Sequence, residues 1–188
     1  MTTNHLSQSL HNLLGGLRLA LLLPVSRQQF HFSHIQFLIM LTLGMMLDIS
    51  GDWWAAQPPS GFNSYGISYL FSLYFINLAS LYVISMLYRP PAKFLPLVIQ
   101  VYACYPLVFL VGASSNHLIA TADDAYIVAT AALLTWSVVI VYRVLRLQLP
   151  GNSLALTPAL ALYASVNIGA LLVLLQQPLW YGDVSAAD

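Results

Sequence analysis

The chain has 188 residues, of which 59% are hydrophobic and 6% charged, with six basic and six acidic side chains and a formal net charge of zero. Soluble domains carry roughly a quarter charged residues, so this composition excludes an ordinary soluble enzyme, a disordered tail and a disulfide-stapled module. It predicts an all-α integral membrane protein, while the lack of a basic cluster argues against a nucleic-acid partner.

Residues 1–32 form a cytoplasmic arm in which Leu6, Leu10, Leu13, Leu14, Leu17 and Leu21 recur at helical spacing, with Gln8, Asn12 and Arg18 mostly elsewhere. That pattern predicts an amphipathic helix lying in the membrane interface, weakened at Gly15-Gly16 and ended by Pro24. A re-entrant or sixth buried segment is the alternative. A secretory signal fits less well, because Arg18 interrupts the apolar run and no small-residue cleavage site follows.

A spanning helix needs about 20 mostly apolar residues. Five stretches qualify, at about 33–49, 65–88, 92–112, 124–147 and 158–177, so residues 33–181 read as one five-helix transmembrane domain and 182–188 as an external tail. Gln57-Pro58-Pro59-Ser60-Gly61 marks an irregular outer loop, and Arg89-Pro90-Pro91 a tight link that predicts an antiparallel hairpin of the second and third spans. The third span carries Pro96 and Pro106, either of which frees a carbonyl and bends a helix. Thr157-Pro158 reads as a cap followed by proline at the first helical position of the fifth span.

The charges sort with this count. Arg18, Arg27, Arg89, Lys93, Arg143 and Arg146 fall on one side, and Asp48, Asp52, Asp123, Asp124, Asp183 and Asp188 on the other. The positive-inside bias then places the N-terminus in the cytoplasm and the C-terminus outside. The short loops suit a multi-pass protein of a bacterial inner membrane. Trp53, Trp54, Trp180 and Tyr181 fall at outer helix ends, where amphipathic rings favour the headgroup zone, whereas Trp136 lies mid-helix and its indole N–H needs a partner or a packed neighbour.

An interfacial arm followed by five helices, with a cytoplasmic N-terminus, is similar to the Yip1-like family of small five-span proteins. The stretch Leu17-Arg18-Leu19-Ala20-Leu21 through Gln36-Phe37 and Leu47-Asp48 also resembles the membrane part ahead of some bacterial legumain-like peptidase domains. The D-L-Y-G-P signature of eukaryotic Yip1 proteins is missing, and no catalytic residue is carried over from the peptidases. The resemblance implies a scaffold or partner-binding membrane protein.

In this reading no acid or base lies deep within a span, which argues against a proton-coupled transporter. The buried amides Asn77, Gln100 and Asn167 either bond between helices or line a substrate path. Ser64, Ser68, Ser72 and Ser80 share one face of the second span, and Ala161, Ser165 and Gly169 one face of the fifth; such small-residue stripes pack helices or meet a partner subunit. His31 and His34, and outside them His117 with Asp123 and Asp124, are incomplete metal-ligand sets, better explained as interfacial anchors and helix caps. No nucleotide loop, zinc-protease or serine-nucleophile motif occurs, and no cofactor is expected. The expected function is a non-enzymatic scaffold or accessory subunit among other membrane proteins. A small channel or transporter for an uncharged solute is the alternative, and a metal-dependent membrane enzyme the third.

Overall fold

The computed structural model describes residues 4–56, 59–87, 94–119, 123–149, 153–173 and 179–182. Among these, six α-helices run in the order α1 (His5–Ala20), α2 (His34–Ala55), α3 (Ser64–Leu87), α4 (Phe94–Ile119), α5 (Asp123–Gln148) and α6 (Ser153–Val173). A 3-10 turn at Arg27–Gln29 precedes α2, and two short strands, β1 (Pro59–Phe62) and β2 (Trp180–Gly182), pair antiparallel. Four helices are long and apolar enough to cross a membrane: α2, α3, and α4 and α5 over Phe94–Ser114 and Val128–Gln148. The apolar part of α6 is shorter, Leu156–Ala170.

The α4 helix is the hub. Leu97, Val98, Ile99, Tyr102, Ala103 and Cys104 are all buried, because α1, α2 and α5 pack around that segment. The outer faces stay apolar: Leu38 and Met46 on α2, and Phe71, Phe75, Val83 and Met86 on α3, are exposed, as lipid-facing side chains are. The expected hairpin of the second and third spans is not the main pairing. Helix α3 packs chiefly on α6 and touches α4 lightly, through the stacked rings of Tyr74 and Tyr102 (5.6 Å) and the edge contact of Tyr82 with Phe94 (5.6 Å). Both helices line a cavity between them.

Two helix ends differ from expectation. Ser33 caps α2, accepting from the Gln36 N–H at 3.2 Å, but the helix continues past Ile49 to Ala55 and so takes in Asp48 and Asp52. The α6 helix begins at Ser153, which puts Pro158 in its second turn. There the proline removes one intrahelical hydrogen bond and need not end the helix. Pro96 sits in the first turn of α4, where a missing N–H costs nothing. Pro106 lies in the interior of α4 and leaves the Tyr102 carbonyl without its helical donor.

The α1 helix is turned inside out compared with a surface helix of a soluble protein. Ser9, Asn12, Gly15, Gly16, Leu19 and Ala20 are buried, while Leu6, Leu10, Leu14, Leu17 and Leu21 are exposed. The close approach that Gly16 permits sets the crossing with α4: a Cβ there would lie 2.2 Å from the Ala103 carbonyl oxygen. Polar bonds hold both ends. Gln36 receives Ser9 Oγ (2.9 Å) and Asn12 Nδ2 (3.1 Å) and donates to the His5 carbonyl (3.0 Å). At the other end the Trp136 indole donates to the Ala20 carbonyl (2.9 Å), and Arg143 to the carbonyls of Leu19 (2.9 Å) and Leu23 (2.7 Å). The mid-helix tryptophan thus satisfies its N–H on the free carbonyls of another helix terminus.

The chain leaves α1 through Leu22, whose φ of 61° is left-handed, with Leu23 N bonded to the Arg18 carbonyl at 2.9 Å. Glycine is the usual occupant of that position. Replacing Leu22 with glycine is expected to relieve about 1 kcal/mol of backbone strain, raising the melting temperature in detergent by roughly 2–4 °C.

At the far end of α2, the Asp52 carboxylate accepts from Leu179 N at 3.1 Å, and Trp180 packs edge-on to Trp53 (4.7 Å) and Phe62 (5.1 Å). The ribbon of β1 and β2 brings the segment after α6 to the same end of the bundle as the α2–α3 connection.

Candidate functional site

A cavity of about 340 Å³ lies between the α3–α6 pair and the α4–α5 pair, with Asp48 of α2 at its edge. Its walls are mainly apolar: Leu73, Val101, Val108, Leu134, Val138, Ile140, Val141, Ala164 and Ile168. Leu134 on α5 and Ile168 on α6 line it and are also exposed, which places its rim between those two helices.

One wall is polar, and four helices contribute to it. Asp48 accepts from the phenols of Tyr74 (2.7 Å) and Tyr105. Tyr102 donates to Asn77 Oδ1 (3.3 Å), and Asn77 Nδ2 donates to the Tyr163 hydroxyl (2.6 Å) and to Asn167 Oδ1 (3.1 Å). Asn167 Nδ2 in turn donates to Ser80 Oγ (3.2 Å) and to the Tyr163 carbonyl (2.8 Å). The stacking of Tyr74 on Tyr102 joins the Asp48 group to the Asn77 group. Polar side chains inside a membrane bundle bond to one another because no water is there to serve them. The Tyr163 hydroxyl, which accepts from Asn77, is part of the cavity lining.

Local sequence explains how the cluster assembles. Tyr102 and Tyr105 are three residues apart and so lie on one helix face. Pro106 lies beside them inside α4 and, having no N–H, leaves the Tyr102 carbonyl without its helical donor. Gly44, one turn before Asp48, lets the α3 and α4 tyrosines approach α2: a Cβ there would lie 2.9 Å from the Tyr74 hydroxyl oxygen and 3.1 Å from Tyr102.

The expected amides separate. Asn77 and Asn167 form the centre of the cluster, with Ser80 at its edge. Gln100 does neither thing expected of it: it is fully buried, neither amide atom has a partner among the described residues, and it does not line the cavity. It sits one turn before Cys104 on α4. Ser72 bonds back to the Ser68 carbonyl of its own helix (2.7 Å), and Ser68 is exposed. Ala161 and Ser165 are exposed and a Cβ on Gly169 would meet nothing within 4 Å, so this stripe faces outward rather than into the bundle.

Asp48 is the largest correction. Read as a boundary residue after the first span, it lies two turns inside α2 with two tyrosine donors on it. An acidic group does therefore stand inside a helix long enough to span. The four tyrosines were also missed, because tyrosine at a helix end and tyrosine in a core look alike in sequence. The visible signal was Tyr102 and Tyr105 on either side of Cys104, directly before Pro106.

His31 is held by its backbone, with N donating to Asn12 Oδ1 (2.7 Å) and the carbonyl accepting from Asn12 Nδ2 (3.0 Å), and its ring meets His11 edge-on at 5.7 Å. Among the described residues no three His, Cys, Asp or Glu side chains converge as metal ligands. The side chains of His117, Asp123 and Asp124, and the whole of Arg89, Lys93, Asp183 and Asp188, lie outside the described residues. No family model, no curated protein and no solved structure matches the chain.

Proposed function

We propose that this chain is a multi-pass membrane protein that binds a small uncharged solute in the cavity between α3, α4, α5 and α6, as a carrier or channel rather than as a catalyst. The carrying observation is the combination of mostly apolar walls with one polar wall drawn from α2, α3, α4 and α6. Small-molecule sites have this make-up: an apolar lining sets affinity and a few convergent polar groups set orientation. The matching solute has an apolar body and a hydroxyl or carbonyl head.

The topology proposed with it has five crossings, α2 to α6, with the N-terminus cytoplasmic and the C-terminus external in a bacterial inner membrane. Five alternating helices return the end of α6 to the end of α2, which is where β2 meets β1 and Leu179 meets Asp52. In the same proposal α1 lies against the bundle with its leucines in the inner leaflet, instead of resting on the membrane surface.

The test fills the cavity. Wild type and Ala164→Phe are purified in parallel from the same membranes, and their extracts are compared by mass spectrometry. A compound retained by wild type and absent from a folded Ala164→Phe variant supports the proposal. Identical extracts from two folded proteins overturn it.

A second reading, a scaffold or accessory subunit, is favoured by the outward stripe of Ala161, Ser165 and Gly169 on α6. Cross-linking in native membranes separates the two. A neighbouring subunit captured by wild type and lost on Gly169→Leu, with the cavity extract unchanged, selects the scaffold.

A further inference from the structure

We propose that a second pocket, at the C-terminal end of α5, is a binding site for a phosphate group, supplied by the headgroup of an anionic lipid or by free phosphate. The pocket measures about 330 Å³ and is lined by Val25, Tyr142, Arg143, Arg146 and Leu147. Two arginines and no acidic residue line it. The two acids with described side chains, Asp48 and Asp52, stand in the other half of α2, beside the cavity and the β-ribbon. Nothing acidic in the lining therefore neutralises the arginines.

Arg143 is held in place before any ligand arrives. Its two terminal nitrogens donate to the carbonyls of Leu19 and Leu23, on either side of the left-handed Leu22. A guanidinium carries five N–H donors, so three remain without a partner among the described residues. Arg146 lies one turn further on, on the same face of α5, and is exposed. Tyr142 also lines the pocket. Planar guanidinium forks match phosphate oxygens in pairs.

The surroundings fit a lipid source. Leu21, Leu22 and Leu23 are exposed on the segment leaving α1, and Val25 and Leu147 form the apolar part of the pocket. Basic residues at this level attract anionic headgroups. This site lies on the α1 side of α5, apart from the cavity lined by Leu134, Ser137 and Val138, so the two proposals stand or fall separately.

Native mass spectrometry of the full chain in detergent tests the site, with phosphatidylglycerol, phosphatidylcholine or inorganic phosphate added separately. The variant is Arg146→Gln, since Arg146 is exposed and makes no side-chain hydrogen bond among the described residues. Wild type is expected to retain phosphatidylglycerol over phosphatidylcholine, and the variant to bind it about fivefold more weakly, the factor for one basic residue at a membrane surface. Protection by inorganic phosphate at an equal concentration assigns the site to free phosphate; protection by phosphatidylglycerol alone assigns it to the lipid. Equal retention of both lipids without a phosphate effect, or unchanged binding in a folded Arg146→Gln protein, overturns the proposal.

Discussion

Asp48→Ala is expected to destabilise the bundle by about 2–5 kcal/mol, because it strips the acceptor from two phenols at once. Tyr74 and Tyr105 both donate to this carboxylate from different helices, and the space around them is apolar. A buried donor left unpaired costs about 1–3 kcal/mol. Asp48→Asn keeps one carbonyl oxygen and the side-chain size, so its loss should be clearly smaller. Removing the donors together with the acceptor, as Asp48→Ala with Tyr74→Phe and Tyr105→Phe, should recover part of the loss. Thermal melting in detergent, followed by near-ultraviolet circular dichroism of the tyrosines, reads all of these variants. Strict additivity across the series would show that the three side chains do not act as a unit.

Gly16→Leu is expected to detach α1 from α4. The added Cβ alone would sit 2.2 Å from the Ala103 carbonyl oxygen and 2.3 Å from its carbon, and both are backbone atoms inside a buried helix. Neither helix can yield without breaking its other packing, so the cost should reach the upper end of the roughly 1–3 kcal/mol seen for overpacked cores. Once α1 lifts, the Trp136 and Arg143 bonds to the carbonyls of Leu19, Ala20 and Leu23 go with it. Limited trypsin digestion in detergent should then cut after Arg18 in the variant well before it cuts wild type. Leu10→Ala, at a position 57% exposed, should leave the digestion unchanged. In a soluble amphipathic helix the sensitivities would be reversed, with the leucine critical and the glycine tolerant.

Several features were legible from composition and spacing. The scarcity of charge and the long apolar stretches determined an all-helical protein with membrane-length helices, because only a helix satisfies its backbone within one segment in lipid. Ser33 was legible as a helix start, since a cap acts over three residues. The amphipathic periodicity of the arm was equally plain. What it could not convey was which face turns inward, because in lipid the leucine face need not be the buried one.

Other features depended on tertiary structure. Aspartate at 48 read as the end of a span because an isolated charge leaves the membrane. It stays inside α2 because tyrosines 26 and 57 residues further along the chain donate to it. The pairing of α3 with α6, the meeting of Asn77 with Asn167, and the capping of α1 by Trp136 and Arg143 join residues 86–124 apart in sequence. Local periodicity states how each helix is divided into faces. Which faces meet is decided by where the neighbours leave polar groups to satisfy and space for a backbone to approach, and that became visible only when all six helices stood together.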